Sequence, residues 1–258
     1  MKPLIRLGHI DLSFHAASAA VVQRILEAHG YSVVSSASPH EEMFQRYGAG
    51  EVDMLVSAWL PDSHGGYLAP YAHETRYLGV LYQPYCIWGV PDYVPVDKVA
   101  SVSDLLRPEI AARMSHLIQG INPGAGISRF SRAMIEQYGL GAAGYHFENG
   151  TQEDCFKRFE NAVEHHEWVV VPLWHPQFLH HRFSIRPLSE PKGLLGGQDD
   201  ATLIVKEHIA LGMPDELLER LTRLTLGNAV ISELDHLICR EGLTPLAAAD
   251  IWLGRARS

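Results

Sequence analysis

The chain has 258 residues, 47% of them hydrophobic and 20% charged, enough to bury a substantial core in one large domain or in two lobes. Twenty-one basic against thirty acidic residues leave a formal charge of −9, which argues against nucleic acid and against an anionic membrane surface as partners. No stretch approaches the roughly 20 apolar residues that cross a bilayer, so no membrane span is expected.

Leu4 to Ile10 reads as a strand directly after the first residues, with no charged-then-apolar leader. Either a signal has been removed and the protein works outside the cytoplasm, or it stays in the cytoplasm. Ala16 to His29 follows as a helix with Val21, Val22, Ile25 and Leu26 on one face and Gly30 at its end. Ser32 to Ser35 is strand-like, Glu41 to Tyr47 a short helix, and Val52 to Ser57 a buried strand. This alternation predicts a parallel or mixed sheet with crossover helices. Two more apolar runs, Leu78 to Tyr82 and Cys86 to Val90, end in the Pro91 to Pro95 punctuation, which marks a lobe boundary.

Beyond it the pattern predicts a short helix from Ser103, a strand over His116 to Ile121, a helix over Ile127 to Tyr138, and a short strand at Tyr145 to Phe147. An amphipathic helix over Gln152 to His165 and a fully buried strand over Trp168 to Leu173 complete this block. After Arg186 to Pro191 come one more strand, Ala201 to Val205, and helices over Pro214 to Leu226, Asn228 to Arg240 and Thr244 to Leu253. The expected organisation is α/β, with residues 1–91 plus 187–258 as one lobe and 92–186 inserted as the other.

The stretch Trp59-Leu60-Pro61-Asp62-Ser63-His64-Gly65 breaks out of a buried strand and offers an indole, an imidazole and backbone amides within a few residues. Gly120 to Ser128, with Asn122 and three glycines ahead of a helix, reads either as a plain tight turn or as an anion-binding helix start. Trp59 and Trp174 both leave a strand shortly before a proline. Each alone is an ordinary core or rim aromatic, but a pair can wall in a cation, with Asp11 adding a carboxylate. Cys86, Cys155 and Cys239 are odd in number and scattered, so buried thiols are expected rather than disulfides or a CxxC site. His165, His166, His175, His180 and His181 lack any HExxH or CxxC spacing, so no metal and no cofactor is expected.

Four segments together resemble the glycine betaine and choline binding proteins of ABC importers. They are Gly50 to Asp53 with Ser57 to Gly65, Gly120 to Ile127, Tyr138 to Leu140, and Val169 to Pro176 with Leu188 to Lys192. The resemblance covers about residues 5 to 240. It implies a two-lobed type II periplasmic-binding fold with a ligand cleft between the lobes, hinge closure, and ABC permease and ATPase partners for a monomeric, non-catalytic protein. By the same resemblance Trp59 and Trp174 are cage walls around an onium group. His64 with the amides of Gly126 and Ile127, beside Asn122, holds a carboxylate, and Asp11 stands near the ligand.

The chain departs from the family where betaine binders carry tryptophan at the position of Leu12 and choline binders at that of His9, or a related branch at Ala125. Phe14, Tyr93 and Trp88 are the rings that would replace the missing wall. The implied ligand is a small quaternary-ammonium compound or zwitterion. Two other readings stand beside it: a cytoplasmic ligand sensor or carrier on the same fold, and an enzyme on that fold, for which Cys86 is the thiol to test.

Overall fold

The computed structural model describes residues 2–255. The amino-terminal part forms β1 (Leu4–Ile10), α1 (Ser13–Ala28), β2 (Ser32–Ser38), α2 (His40–Gly48), β3 (Met54–Leu60), the single turn α3 (Gly65–Leu68) and β4 (Thr75–Tyr82). The middle forms β5 (Tyr85–Pro91), α4 (Pro108–Ala111), β6 (Leu117–Gln119), α5 (Gly126–Gln137), β7 (His146–Glu148), α6 (Gln152–Glu164), β8 (Val171–His175), α7 (Leu179–Arg182) and β9 (Ile185–Pro187). The chain ends with β10 (Asp200–Lys206), α8 (Glu207–Ala210), α9 (Asp215–Thr222), α10 (Asn228–Cys239) and α11 (Pro245–Arg255).

These elements divide into two compact units, the first of residues 1–84, 176–181 and 199–258, the second of 85–175 and 182–198. Sequence punctuation puts the first crossing at Pro91. It falls instead before Tyr85, because β5 pairs antiparallel with β8 and β9 of the second unit. The return crossing near residue 187 is likewise displaced, since β9 and the bridge from Tyr85 to Gln198 tie residues 182–198 to that unit.

The first unit is built on a mixed five-stranded sheet in the order β2-β1-β3-β10-β4. β1 runs parallel to both β2 and β3, as crossover helices require, while β10 enters antiparallel between β3 and β4. α1 buries Ala17, Ala19, Ala20, Val21, Val22, Ile25 and Leu26, and its small residues allow close packing with α10 and α11. Asp53 is a structural residue: its buried carboxylate accepts from the backbone N–H of Arg6 at 2.8 Å and from Arg6 Nε at 3.0 Å, locking β1 beside β3. Gly8 is required at the same junction, since a Cβ there would lie 2.6 Å from Met43 Sδ and 2.7 Å from Val52 Cγ1.

The second unit holds the three-stranded sheet β8-β5-β9 and the parallel pair β6-β7. Trp88 of β5 is fully buried and donates from Nε1 to Ser131 Oγ of α5 at 2.8 Å. α6 opens with a reciprocal capping box between Thr151 and Asp154 and buries Cys155, Phe156 and Phe159. The apolar run Trp168 to Val170 is buried but lies outside β8, which extends only where β5 supplies a partner, from Val171 to His175. A strand is defined by pairing, so its ends cannot be read from an apolar run alone.

Gly79 of β4 is a second obligatory glycine. A Cβ there would stand 2.6, 2.8 and 3.0 Å from the carbonyl oxygens of Leu221, Thr222 and Leu224, backbone atoms of the last turn of α9 and of the residues just after it. Gly79→Ala is therefore expected to destabilise the protein by about 1–3 kcal/mol. Urea denaturation should show a lower midpoint at unchanged slope.

Candidate functional site

In the first unit β3 delivers Trp59, and the chain then turns sharply. His64 N donates to Trp59 O at 2.8 Å and Gly65 N to Pro61 O at 3.1 Å. The Asp199 carboxylate accepts from the amides of Asp62 at 2.7 Å and Ser63 at 3.1 Å, which fixes the loop. The backbone N–H of Trp59 donates to His64 Nδ1 at 2.9 Å. An accepting Nδ1 must carry a lone pair, so the neutral ring bears its proton on Nε2, the nitrogen that suits a carboxylate.

Around this turn gather rings that the linear sequence scatters. Phe14 and His15, in the first turn of α1, each have their ring centroid 5.5 Å from that of Trp59, and His64 stacks on the indole at 6.2 Å and 27°. His40 of α2 meets His64 edge-on at 5.3 Å, and Phe44 lies at 5.4 Å. Trp59, His64, His15 and His40 are all buried. Trp59, His64 and Phe14 are among the residues the sequence singles out, whereas His15 and His40 are not. A lone histidine in an apolar helical stripe carries no spacing signal toward a loop 49 residues away.

The other expected positions of this unit part company. Asp11 is exposed, Leu12 is buried as the N-cap residue of α1, and His9 is half-buried with its Nδ1 2.8 Å from Ile10 O. His9 lines a cavity of about 210 Å³ together with Ala16, Ala20, Ser35 and Pro245, away from the Trp59 indole. Burial lowers the His9 pKa.

In the second unit, Trp174 is buried against Phe156 of α6 at 5.7 Å. Its neighbour His175 stacks on Tyr85 at 5.3 Å and 15°, directly across the β5–β8 ladder, and Cys86 lies opposite Trp174. Ala125 N donates to Asn122 Oδ1 at 3.1 Å, so Asn122 shapes the turn that starts α5. Gly126 and Ile127 open that helix, and their N–H groups precede its first intrahelical acceptors. The helix start therefore offers unpaired donors and the positive end of a 12-residue dipole.

Two of the rings expected to replace the missing tryptophan are engaged elsewhere. Trp88 is held by Ser131, and Tyr93 donates to the carbonyls of Ala162 at 2.8 Å and Glu167 at 2.7 Å. Phe14 lies beside Trp59. Among the described residues no disulfide joins the three cysteines, and burial raises the pKa of the Cys239 thiol to about 12 and that of Cys155 further. No described helix is long and apolar enough to cross a membrane.

The family described as "Substrate binding domain of ABC-type glycine betaine transport system" matches residues 3–255. The crystal structure of lactococcal OpuAC, closed on glycine betaine, superposes with TM-score 0.86 at 23% identity over 99% of this chain and 96% of that one. The Borrelia burgdorferi glycine/betaine/L-proline-binding protein (ProX) gives 0.85 at 22% over 98% and 93%, and a choline binding protein in complex with choline gives 0.83 at 18% over 98% and 89%. These likenesses establish the fold of the two-lobed periplasmic binding proteins. A curated relative, the glycine betaine/carnitine transport binding protein GbuC of Listeria monocytogenes, is 22% identical over 108 residues, which span 42% of this chain and 36% of that protein's length.

The buried imidazoles carry a pH signature. Burial first, then His64, His40 and His9, hold the His15 pKa well below its ordinary 6.5. Below about pH 6.5 the unfolded chain takes up a proton that the folded chain refuses, so stability falls as pH drops. Asp235, raised by burial from 3.8 to about 6, acts oppositely, adding stability as pH falls through that range. Between pH 7 and 6 the histidine effect should dominate. Urea melts of His15→Leu should show a flatter rise of stability with pH than the wild type, by at most about 1.4 kcal/mol per pH unit.

Proposed function

The chain belongs to the substrate-binding domains of ABC-type glycine betaine transport systems, and from that premise we propose that it captures a small quaternary-ammonium compound or zwitterion for an importer. The observation that carries this reading is the Trp59 cluster, in which the Trp59 backbone N–H is tied to His64 Nδ1 and the indole is flanked by Phe14, His15 and His64. Aromatic faces attract a methylated ammonium that cannot hydrogen-bond, each contributing roughly 0.5 to 2 kcal/mol according to desolvation.

In this reading Trp59 faces the onium group with Phe14 and His15 in the place of the missing tryptophan, and His64 Nε2–H donates to a carboxylate. In the second unit the amides of Gly126 and Ile127, in the turn that Asn122 shapes, are suited to an anionic group, and Trp174 offers a further ring. Asp11 lies at the margin and Leu12 acts as a helix-start residue rather than a wall. The protein does no chemistry on its solute. It works outside the cytoplasm and hands the solute to a permease driven by an ATPase subunit.

A thermal-shift panel with glycine betaine, choline, carnitine, proline betaine, dimethylsulfoniopropionate and unmethylated amino acids tests this. A ligand at a hundredfold its Kd should stabilise by about 2.7 kcal/mol. The expected result is a shift with at least one methylated onium compound that Trp59→Ala abolishes and Trp59→Phe only reduces. A shift that survives Trp59→Ala, or none with any onium compound, would reject the assignment.

A further inference from the structure

Trp59 is held by a residue outside every motif above. β10 runs between β3 and β4, and Ala201 is in register with Trp59 on one side and Tyr82 on the other. Residues in register across neighbouring strands point to the same face of a sheet. The small Ala201 stands between these two positions, and the two large rings meet across it. The indole Nε1–H donates to Tyr82 Oη at 3.1 Å, and the rings pack edge to face at 6.4 Å and 87°.

Tyr82 is itself constrained. It is 2% exposed, and its hydroxyl is hydrogen-bonded to Ser57 Oγ. Ser57 lies on β3 with φ +66°, a left-handed conformation that few non-glycine residues adopt within a strand. Ser18 of α1, which donates to the carbonyls of Phe14 and His15 at 3.1 Å, also reaches the tyrosine hydroxyl. A strained backbone, a buried hydroxyl chain and the indole thus form one connected network.

We propose that Tyr82 is a positioning residue: with Ser57 it sets the orientation of the Trp59 indole, and through it the affinity for the onium ligand. The affinity part rests on the functional reading above, in which Trp59 contacts the ligand. The indole hydrogen bond stands apart from it.

The test uses ¹⁵N-labelled full-length protein, whose five tryptophans give five indole N–H signals. The Trp59 signal is assigned by its loss in Trp59→Phe. In Tyr82→Phe, which removes only the acceptor oxygen, that signal should shift and its proton exchange faster with solvent, while the other four stay in place. Titration with the onium compound giving the largest thermal shift should show binding about three- to tenfold weaker, the equivalent of one hydrogen bond.

An unmoved Trp59 signal would overturn the proposal, as would a shifted signal with unchanged affinity. Should Tyr82→Phe fail to fold, the wild-type indole exchange decides: slow exchange supports the bond, and exchange as fast as in an exposed indole overturns it. If Trp59→Ala binds the ligand as the wild type does, the functional reading fails together with the affinity claim. The hydrogen bond is then judged by the indole signal alone.

Discussion

The hydrogen bond from the Trp59 amide to His64 Nδ1 is the constraint on which the candidate site depends. It closes a turn immediately after β3 and binds the two residues to each other. Asp199, at the start of the returning strand, completes the closure by accepting from two loop amides, so β10 holds both its neighbour strand and that strand's loop. The aromatic ring is consequently placed by the sheet rather than by a mobile loop. A site built on a rigid element keeps its geometry between ligands.

That hydrogen bond also dictates protonation. His64 must keep a lone pair at Nδ1, and His15 and His40 crowd the same space, so a proton on any one of the rings meets the others across about 5 to 6 Å. Burial makes each charge costlier still. Burial holds the His15 pKa well below its ordinary value, so that ring stays neutral at ordinary pH. On the proposed reading this matters, because a cationic imidazole beside the indole would repel the charge the ring faces attract.

The strand-to-loop exits were legible because each couples an apolar run to Gly, Pro or an aromatic within a few residues. Trp59, His64 and the turn before α5 fall in that class. Boundaries were less legible: nothing in Trp168 to Val170 reveals that β5 ends its ladder later, and nothing around Pro91 reveals that β5 belongs with β8. His15, His40 and Tyr82 were illegible for a related reason. Each occupies an ordinary position in its own element, and only the register of β10 and the approach of α1 bring them to one indole. The Gly50 to Asp53 motif was legible as a pattern, yet its aspartate serves the β1–β3 junction.

Leu12 stands at the start of α1 rather than beside the Trp59 ring. Leu12 is buried as the N-cap, and the helix's first turn instead presents Phe14 and His15 to Trp59. Phenyl and imidazole faces bind a cation less strongly than indole, so on the proposed reading the remaining indole carries more of the attraction. A ring that carries more must also be better held, since every rotamer it visits when empty subtracts from affinity. Trp59 is tied twice, through its amide to His64 and through its indole to Tyr82. On the proposed reading a smaller cage and a more rigid wall are thus two sides of one arrangement.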